Sequence, residues 1–452
     1  MKIPSRPPSP LRSVPDHVRS QSDLMAMIGS LSIAGGAAPG GRYRHWDSLR
    51  LQTPPPGLDH PRWWLAVKLA RASSYQNLPL RNGRGEPFRL AMDDVVWRLL
   101  QRIDAAAFGD LGRSPQLVER RTREALLFRQ SVDEAVASSR IEGAPLTRHD
   151  AVDLVRENRP PRSVGECMIL SNARAMSHVR AVAHLPLTPA MVLELHDRMT
   201  DGALDPPECG RLRRDGERVH VHDQAGGILH TPPPAVELPG RLEALCAFAN
   251  SDDPDLHPVV RAVLIHFQLA YDHPFTDGNG RVARALFTWS LLNRGYGLGE
   301  FLSTSRILEQ DPSRYTRAFL YVESDDDDTT YFVLNQLEAM LTAVDDLAEY
   351  LDWKPRELRR VGRLIEDAAP HGDGLNHRQL DVVRHALDNP GHIYTFAAHR
   401  RTHGVSYQTA RTDLLGMAEH GVLERAKRGK MFVFAVPRDL ENRLAAARIT
   451  SD

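Results

Sequence analysis

Cysteine is scarce in this chain: three residues, Cys167, Cys209 and Cys246, among 452. They are scattered, odd in number and form no Cys-x-x-Cys pair. That argues against a disulfide framework or a cysteine-built zinc site and fits a reducing compartment. Long apolar runs are missing too. No stretch approaches the ~20 apolar residues of a membrane span. The mildly apolar segment 24–38 is broken by glycine and serine and lacks the ordered regions of a signal peptide. A charge excess is also lacking, since 57 Lys and Arg face 58 Asp and Glu. Any contact with nucleic acid must then rest on a local patch. Together these absences predict a cytoplasmic protein with no membrane partner.

What is present is length enough for about two to four domains. Residues 1–40 are rich in Pro, Ser, Gly and Arg and are expected to form a mobile tail, with a helix near 21–30. Residues 41–112 have mixed polarity and are expected to pack on a core, with a short helix in "PRWWLAVKLAR" anchored by Trp63 and Trp64. From Ser114 the apolar spacing becomes helical and stays so through "LVERRTREALLFRQSVDEAVASSRIEG". Further helices are predicted at 150–158, 165–184, 188–199 and 236–250, then one ending at Asp272, one reaching about Asn293, and a helical stretch over 312–351. Between the third and fourth of these, "RLRRDGERVHVHDQAGGILHTPPP" (211–234) alternates and ends in prolines, as a β-hairpin would. The acidic run 325–328 is expected to be a solvated loop capping the next helix.

The densest chemistry lies in "HPFTDGNGRVAR", residues 273–284. The preceding helix delivers His273 at its end, and Val282, Ala285, Leu286, Trp289 and Leu292 recur at helical spacing after it. The loop therefore opens a helix, whose free N–H groups and partial positive charge suit phosphate. Gly278 and Gly280 can take backbone shapes closed to other residues, bringing those N–H groups close to an oxyanion. Arg281 and Arg284 project from the first turn, and arginine grips phosphate oxygens bidentately. Asp277 suits Mg²⁺, which prefers one or two carboxylates plus phosphate oxygens. His273 is placed as a general base for an attacking hydroxyl. The set reads as a triphosphate cradle with a base at its mouth.

This stretch resembles the signature of the Fic family, His-x-Phe-x-(Asp or Glu)-Gly-Asn-Gly-Arg-x-x-Arg, at every specified position. The resemblance implies a mainly α fold: an all-helical catalytic core with a β-hairpin flap. It also implies transfer of AMP from ATP to a hydroxyl side chain of a protein, with release of pyrophosphate. His273 would then deprotonate the target hydroxyl and Phe275 would hold the loop. Asp277 would bind Mg²⁺, Asn279 and the backbone 278–280 would hold the α- and β-phosphates, and Arg281 and Arg284 the outer ones. A relative that phosphorylates instead has lysine where Gly280 stands, so Gly280 favours nucleotidyl transfer. The hairpin 211–234 lies where the family places a flap that clamps the target by strand pairing. Val219 and Val221 would face one side of it, His220 and His222 the other. Tyr315 is a candidate for the adenine site.

Upstream, "SSRIEG" resembles the family's inhibitory helix motif. Ser138 and Glu142 are four apart, on one helix face, and Gly143 is a helix stop that leaves Glu142 at the negative end of the helix dipole. A carboxylate set against local preference calls for a partner, and the resemblance implies Arg284, whose capture would remove the γ-phosphate clamp. The core is thus expected over 113–352, with the inhibitory helix at about 115–143.

Residues 355–452 have a different character. A helix in "NHRQLDVVRHALDN", a short strand at Ile393, and two short helices separated by Gly404 precede "VLERAKRGKMFVFAV", which alternates around a basic turn. Ser406 would cap the second short helix, with Ala410, Leu414, Leu415 and Met417 inward. This resembles a winged helix, an appendage seen in many bacterial Fic proteins. Tyr407, Gln408, Arg411, Lys427, Arg428 and Lys430 would be exposed and suit DNA phosphates, although the same fold serves protein docking and homodimerisation. An autoinhibited, Mg-ATP-dependent protein adenylyltransferase leads these readings. Removal of AMP from a modified protein, and a nucleotide-sensing DNA-binding regulator, are the alternatives.

Overall fold

The computed structural model describes residues 3–8, 25, 29, 34–144, 147–157, 159–217, 219–223, 226–367, 375–388, 392–428, 431–437, 439–440 and 443–444, apart from the side chains of 121, 149, 150, 157, 354, 355, 357–367, 388 and 428. Most of the expected tail, with its helix near 21–30, lies outside the described residues. The chain divides into two units, Met1–Leu347 and Ala348–Asp452. No helix among the described residues is long and apolar enough to cross a membrane.

The first unit begins on α1 (His60–Ala72), capped by Asp59, whose carboxylate accepts the Arg62 N–H at 2.8 Å. α1 buries Trp63, Trp64 and Val67, and also Lys68 and Arg71. The last residues of the expected tail are docked on it: Trp63 Nε1 donates to Ala34 O at 3.0 Å and Arg71 Nε to Ala37 O at 2.9 Å. An antiparallel hairpin of β1 (Tyr75–Arg81) and β2 (Pro87–Ala91) follows. The sequence reading missed it. Pro79 removes a ladder donor and the pairing shifts register between Asn77 and Arg81, so the alternation is short on each strand, Leu78 and Leu80 on β1 and Phe88 and Leu90 on β2. α2 (Asp94–Phe108) is capped by Asp93.

The helical body comprises α3 (Arg120–Ile141), α4 (Arg148–Glu157), α5 (Val164–Val182) and α6 (Pro189–Thr200). A two-stranded hairpin of β3 (Val221–His222) and β4 (Ile228–His230) follows, then α7 (Leu238–Asn250). At the centre lie α8 (Pro258–Asp272) and α9 (Asn279–Asn293). α8 is buried on every face from Val259 to Leu269, and its three polar side chains there, Arg261, His266 and Gln268, all have hydrogen-bond partners. Alpha-helices α10 (Thr304–Gln310), α11 (Pro312–Ser324) and the part of α12 (Thr330–Asp367) up to Leu347 complete the body; the rest of α12 belongs to the second unit. The fold is mainly α, as expected.

The helical stretch expected over 312–351 is interrupted at 325–329, where a loop was expected, but the acidic run there is not solvated. Asp325, Asp327 and Asp328 are buried. Asp325 pairs with Lys68 Nζ at 2.8 Å, and Asp328 accepts from the Tyr43 and Tyr75 hydroxyls at 2.6 and 2.8 Å. Asn82 donates to Asp327 at 2.9 Å. The physical reason is that partners from elsewhere in the unit converge on the run: the buried Lys68 ammonium on Asp325, Arg84 on Asp327 at 3.2 Å, and the two tyrosine hydroxyls on Asp328. The capping part of the expectation does hold, since Asp328 Oδ1 accepts the Thr330 N–H at 3.0 Å.

The second unit runs α13 (His377–Asp388), β5 (Ile393–Tyr394), α14 (Phe396–His403), α15 (Tyr407–Glu419), β6 (Glu424–Arg428) and β7 (Met431–Ala435). Its antiparallel sheet has the order β5-β7-β6. Val382, Val383, Phe396, Leu414, Met417 and Phe434 form its core. Gly404 ends α14 in the left-handed conformation, and Ser406 Oγ caps α15 by accepting the Thr409 N–H at 3.1 Å.

Candidate active site

α8 ends on a residue rarely found there. His273 sits in the left-handed region, φ 46° and ψ 58°, which a non-glycine side chain adopts only under constraint. Arg213 supplies much of that constraint. Its backbone N–H donates to Pro274 O and its Nε to His273 O, each at 2.9 Å, and its Nη2 donates to Pro233 O. The base of the hairpin segment is thereby stapled to the turn.

The His273 ring follows from that turn. Nδ1 lies 3.1 Å from Ala270 O, and a carbonyl only accepts, so Nδ1 carries the hydrogen and Nε2 keeps its lone pair. Burial lowers the pKa below the usual histidine value, opposed in part by the Ala270 bond and the Glu142 charge. At neutral pH the imidazole is an uncharged base.

The loop between His273 and α9 is rigid for reasons the sequence only half reveals. Phe275 is fully buried and stacks on His196 at 3.8 Å between centroids, 7° from parallel. His196 Nδ1 accepts the Gly210 N–H and its Nε2 donates to Asp277 O, both at 3.0 Å. Burial pulls its pKa down to about 4, so this neutral tautomer persists. The signal for His196 was its place on the apolar stripe of α6 with Val192, Leu195 and Met199, which reads as core and not as loop support.

Asn279 departs from its expected role. Its Oδ1 accepts the Phe275 N–H and its Nδ2 donates to Phe275 O, both at 2.9 Å, so its amide folds the loop and does not project toward a phosphate. Arg281 departs likewise. It is buried, with Nη1 donating to Met199 O at 2.6 Å and Nη2 lying 3.5 Å from Asp277 Oδ2. That contact turns it away from the cavity and toward α6. Asp277 is half exposed at the loop mouth.

The two glycines also differ from each other. Gly278 has φ 81° and needs to be glycine. Gly280 is helical, and its lack of a side chain serves space: a methyl group there would overlap Glu142 Oε1 and come within 2.9 Å of Arg284 Nη1. Gly280→Ala is therefore expected to push Glu142 off its seat and to destabilise the protein without nucleotide by about 1–3 kcal/mol. Denaturant unfolding measures this; an unchanged midpoint would mean that the carboxylate does not occupy that space.

Arg284 is buried and held on three sides by the end of α3. Its Nε donates to Ser138 Oγ at 2.9 Å, and its Nη2 to Ser138 O at 2.9 Å and to Glu142 Oε1 at 2.8 Å. Burial alone would lower the Arg284 pKa, but Glu142, Tyr315 and Glu134 together raise it above the usual value. Glu142 closes α3 and Gly143 follows with φ 91°. The unfavourable place of this carboxylate at the end of one helix is thus compensated by the start of another, since it lies against the first turn of α9.

Glu142, His273, Gly280 and Arg284 open on a cavity of about 210 Å³. Its far wall is α11, through Tyr315, Thr316, Phe319 and Glu323, and its roof is the hairpin, through Val221 and Leu229. Tyr315, the candidate for the adenine site, lines this cavity and exchanges a 2.7 Å hydrogen bond with buried His266. The hairpin is shorter than the segment 211–234 suggested: β3 and β4 pair only over Val221↔His230 and His222↔Ile228, and Val219 lies before the strand. It is anchored by His230, unforeseen in this role, whose Nε2 donates to Tyr271 O and whose Nδ1 meets Glu323 Oε1, each at 2.7 Å.

The Asp277 carboxylate and open space beside the α9 N-terminus fit a hard cation shared with phosphate oxygens. Among the described residues no group of three or more His, Cys, Asp or Glu side chains is arranged to hold a metal on its own.

Comparison with known proteins agrees with this geometry. Residues 186–291 match the family described as Fic/DOC. The protein named "Protein adenylyltransferase Fic" of Drosophila virilis is 39% identical over 131 residues, 28% of this chain and 25% of that protein. Its namesake in Nematostella vectensis is 40% identical over 106 residues, 23% of each chain. The chain thus spans about a quarter of the length of the curated relatives it matches. A solved Fic family protein from Desulfovibrio desulfuricans shares the fold, with a TM-score of 0.51 and 21% identity over 77% of this chain and 97% of that one.

Proposed function

From the match of residues 186–291 to the Fic/DOC family we infer that the protein is a protein adenylyltransferase restrained by its own α3. The observation that carries this reading is the Glu142 carboxylate, bound to Arg284 at 2.8 Å and resting on the first turn of α9. A negative group already occupies the place that an incoming phosphate chain would use, and the cation meant for it is taken.

Once Glu142 withdraws, the free N–H groups at the start of α9 receive the phosphates of ATP. Arg284 takes the outermost phosphate, and the base lies between the hairpin and α11. Asp277 would hold Mg²⁺, which when bound neutralises phosphate charge. A serine, threonine or tyrosine hydroxyl of a target protein is laid beside the hairpin, and its oxygen attacks the α-phosphorus. The oxygen–phosphorus bond forms, the bond to the β-phosphate oxygen breaks, the hydroxyl proton passes to His273 Nε2, and pyrophosphate leaves. Arg213, His196 and Asn279 keep the loop in place while this happens. Val221 lines the cavity and is the hairpin residue placed to meet the target; Val219 is the weaker candidate. All three cysteines are unpaired, which supports the proposed cytoplasmic location.

Labelled ATP tests the reaction class. With Glu142→Gly protein and host lysate, label on the α-phosphate is expected in protein and label on the γ-phosphate only in pyrophosphate. Label from the γ-position entering protein would make the enzyme a kinase and overturn the reading.

A further inference from the structure

None of the residues that line the cavity lies in the second unit, and within that unit positive charge is concentrated in one stretch. Residues 395–435 contain seven Lys and Arg against three Asp and Glu, in a chain whose totals are 57 and 58. Two of those three acids are already engaged. Asp413 is buried under Asn376, Arg378 and His399, which reach it at 2.8–3.1 Å, and Glu424 pairs with Arg443 at 2.7 Å. Asp413 thereby ties α13, α14 and α15 together and fixes the outward face of α15.

That face is uniform. Tyr407, Gln408, Arg411 and Thr412 are all exposed along the first two turns of α15, with no carboxylate among them; Glu419 comes only at the far end. Arg400 and Arg401 are exposed on α14. On the β6–β7 hairpin, the Arg425 and Lys427 side chains are exposed and stand over Phe432 at 5.6 and 5.3 Å, which keeps their charges extended on one face. The side chains of Arg428 and Lys430 at the hairpin tip lie outside the described residues.

We propose that this unit binds duplex DNA, with α15 entering the major groove and α14 and the β6–β7 hairpin resting on the phosphate backbone. The assignment rests on complementarity. A preformed helix 13 residues long, carrying amide, hydroxyl and guanidinium donors and flanked on both sides by cations, matches groove edges bordered by phosphates. Gln408 is suited to adenine and Arg411 to guanine. Arg400, Arg401, Arg425 and Lys427 are phosphate contacts and carry no sequence information.

The test uses the full-length chain and a fluorescein-labelled duplex of about 30 random base pairs, followed by anisotropy. Four phosphate contacts give a salt slope near −3.6, so affinity is expected to fall by about two orders of magnitude between 50 and 200 mM salt. The pair Arg400→Gln/Arg401→Gln, and separately Arg425→Gln/Lys427→Gln, should each lower the slope by about two and weaken binding at least tenfold. A thermal melt and α-label transfer in the Glu142→Gly background report that the fold and the first unit are intact. Arg411→Ala should leave the slope within about one unit and flatten the base preference found by selection from a random pool. The proposal is overturned if the duplex does not bind at 50 mM salt, or if the paired variants bind it as the parent does. It is equally overturned if poly-glutamate binds and the duplex does not, which would make the surface a dock for an acidic protein, or if the unit only self-associates.

Discussion

Glu142→Gly is expected to raise the rate of adenylyl transfer at limiting ATP by about 10- to 150-fold. The magnitude follows from the bond removed. A hydrogen bond between a buried guanidinium and a carboxylate contributes about 1.5–3 kcal/mol, and each 1.4 kcal/mol is a tenfold change in the fraction of molecules open to the nucleotide. Arg284 keeps its Ser138 contacts in the variant, so its side chain stays near the cavity and is not lost to solvent. Glu142 already lies at the end of α3 with φ −90°, which glycine adopts without strain. Glu142→Gln should fall between the two, because it keeps the volume over α9 and loses the charge. Initial rates with α-labelled ATP measure this series; equal rates for all three would mean that the carboxylate restrains nothing.

His273→Ala in the Glu142→Gly background is expected to lower the rate by about 10²–10⁴, the usual contribution of a positioned general base. The pH profile separates base chemistry from mere loop disruption. The neutral imidazole is the active form, so activity is full above its pKa and is lost as pH falls through it. Burial lowers that pKa, which places the acid limb of kcat/KM below the ordinary histidine value of about 6.5. Removing Glu142 takes away a negative charge that was raising the pKa, and so pushes the limb further toward acid. A limb at or above 6.5 that disappears in no histidine variant would assign the proton transfer to another group.

Much of this site was legible because its chemistry is local. The order histidine, carboxylate, two glycines and two arginines is compressed into twelve positions, and a loop opening a helix can be read from residue types alone. Glu142 was legible by its awkwardness at the end of a helix, which pointed to a partner 142 residues away. What could not be read depends on elements distant in sequence. Asn279 and Arg281 have side chains that suit phosphate, but their partners, Phe275 and Met199, are backbone groups that offer no sequence signal. Arg213 stands among three arginines in four positions, and nothing local distinguishes the one that staples His273. The acidic run 325–328 looked solvated because groups that bury it, Lys68 and Tyr75 among them, lie more than 250 residues upstream. In each case the type of chemistry was visible and the direction of the side chain was not.

The relation between the restraint and the cradle reduces to one pair of side chains, and one measurement isolates it. Incorporation of α-labelled AMP is compared among the parent, Glu142→Gly, Arg284→Ala and the double variant. If Glu142 acts by withholding Arg284, the single Glu142 variant is fast and the double variant falls back to the level of Arg284→Ala. A double variant as fast as Glu142→Gly would show that Arg284 does not receive the nucleotide, and the central claim would be wrong.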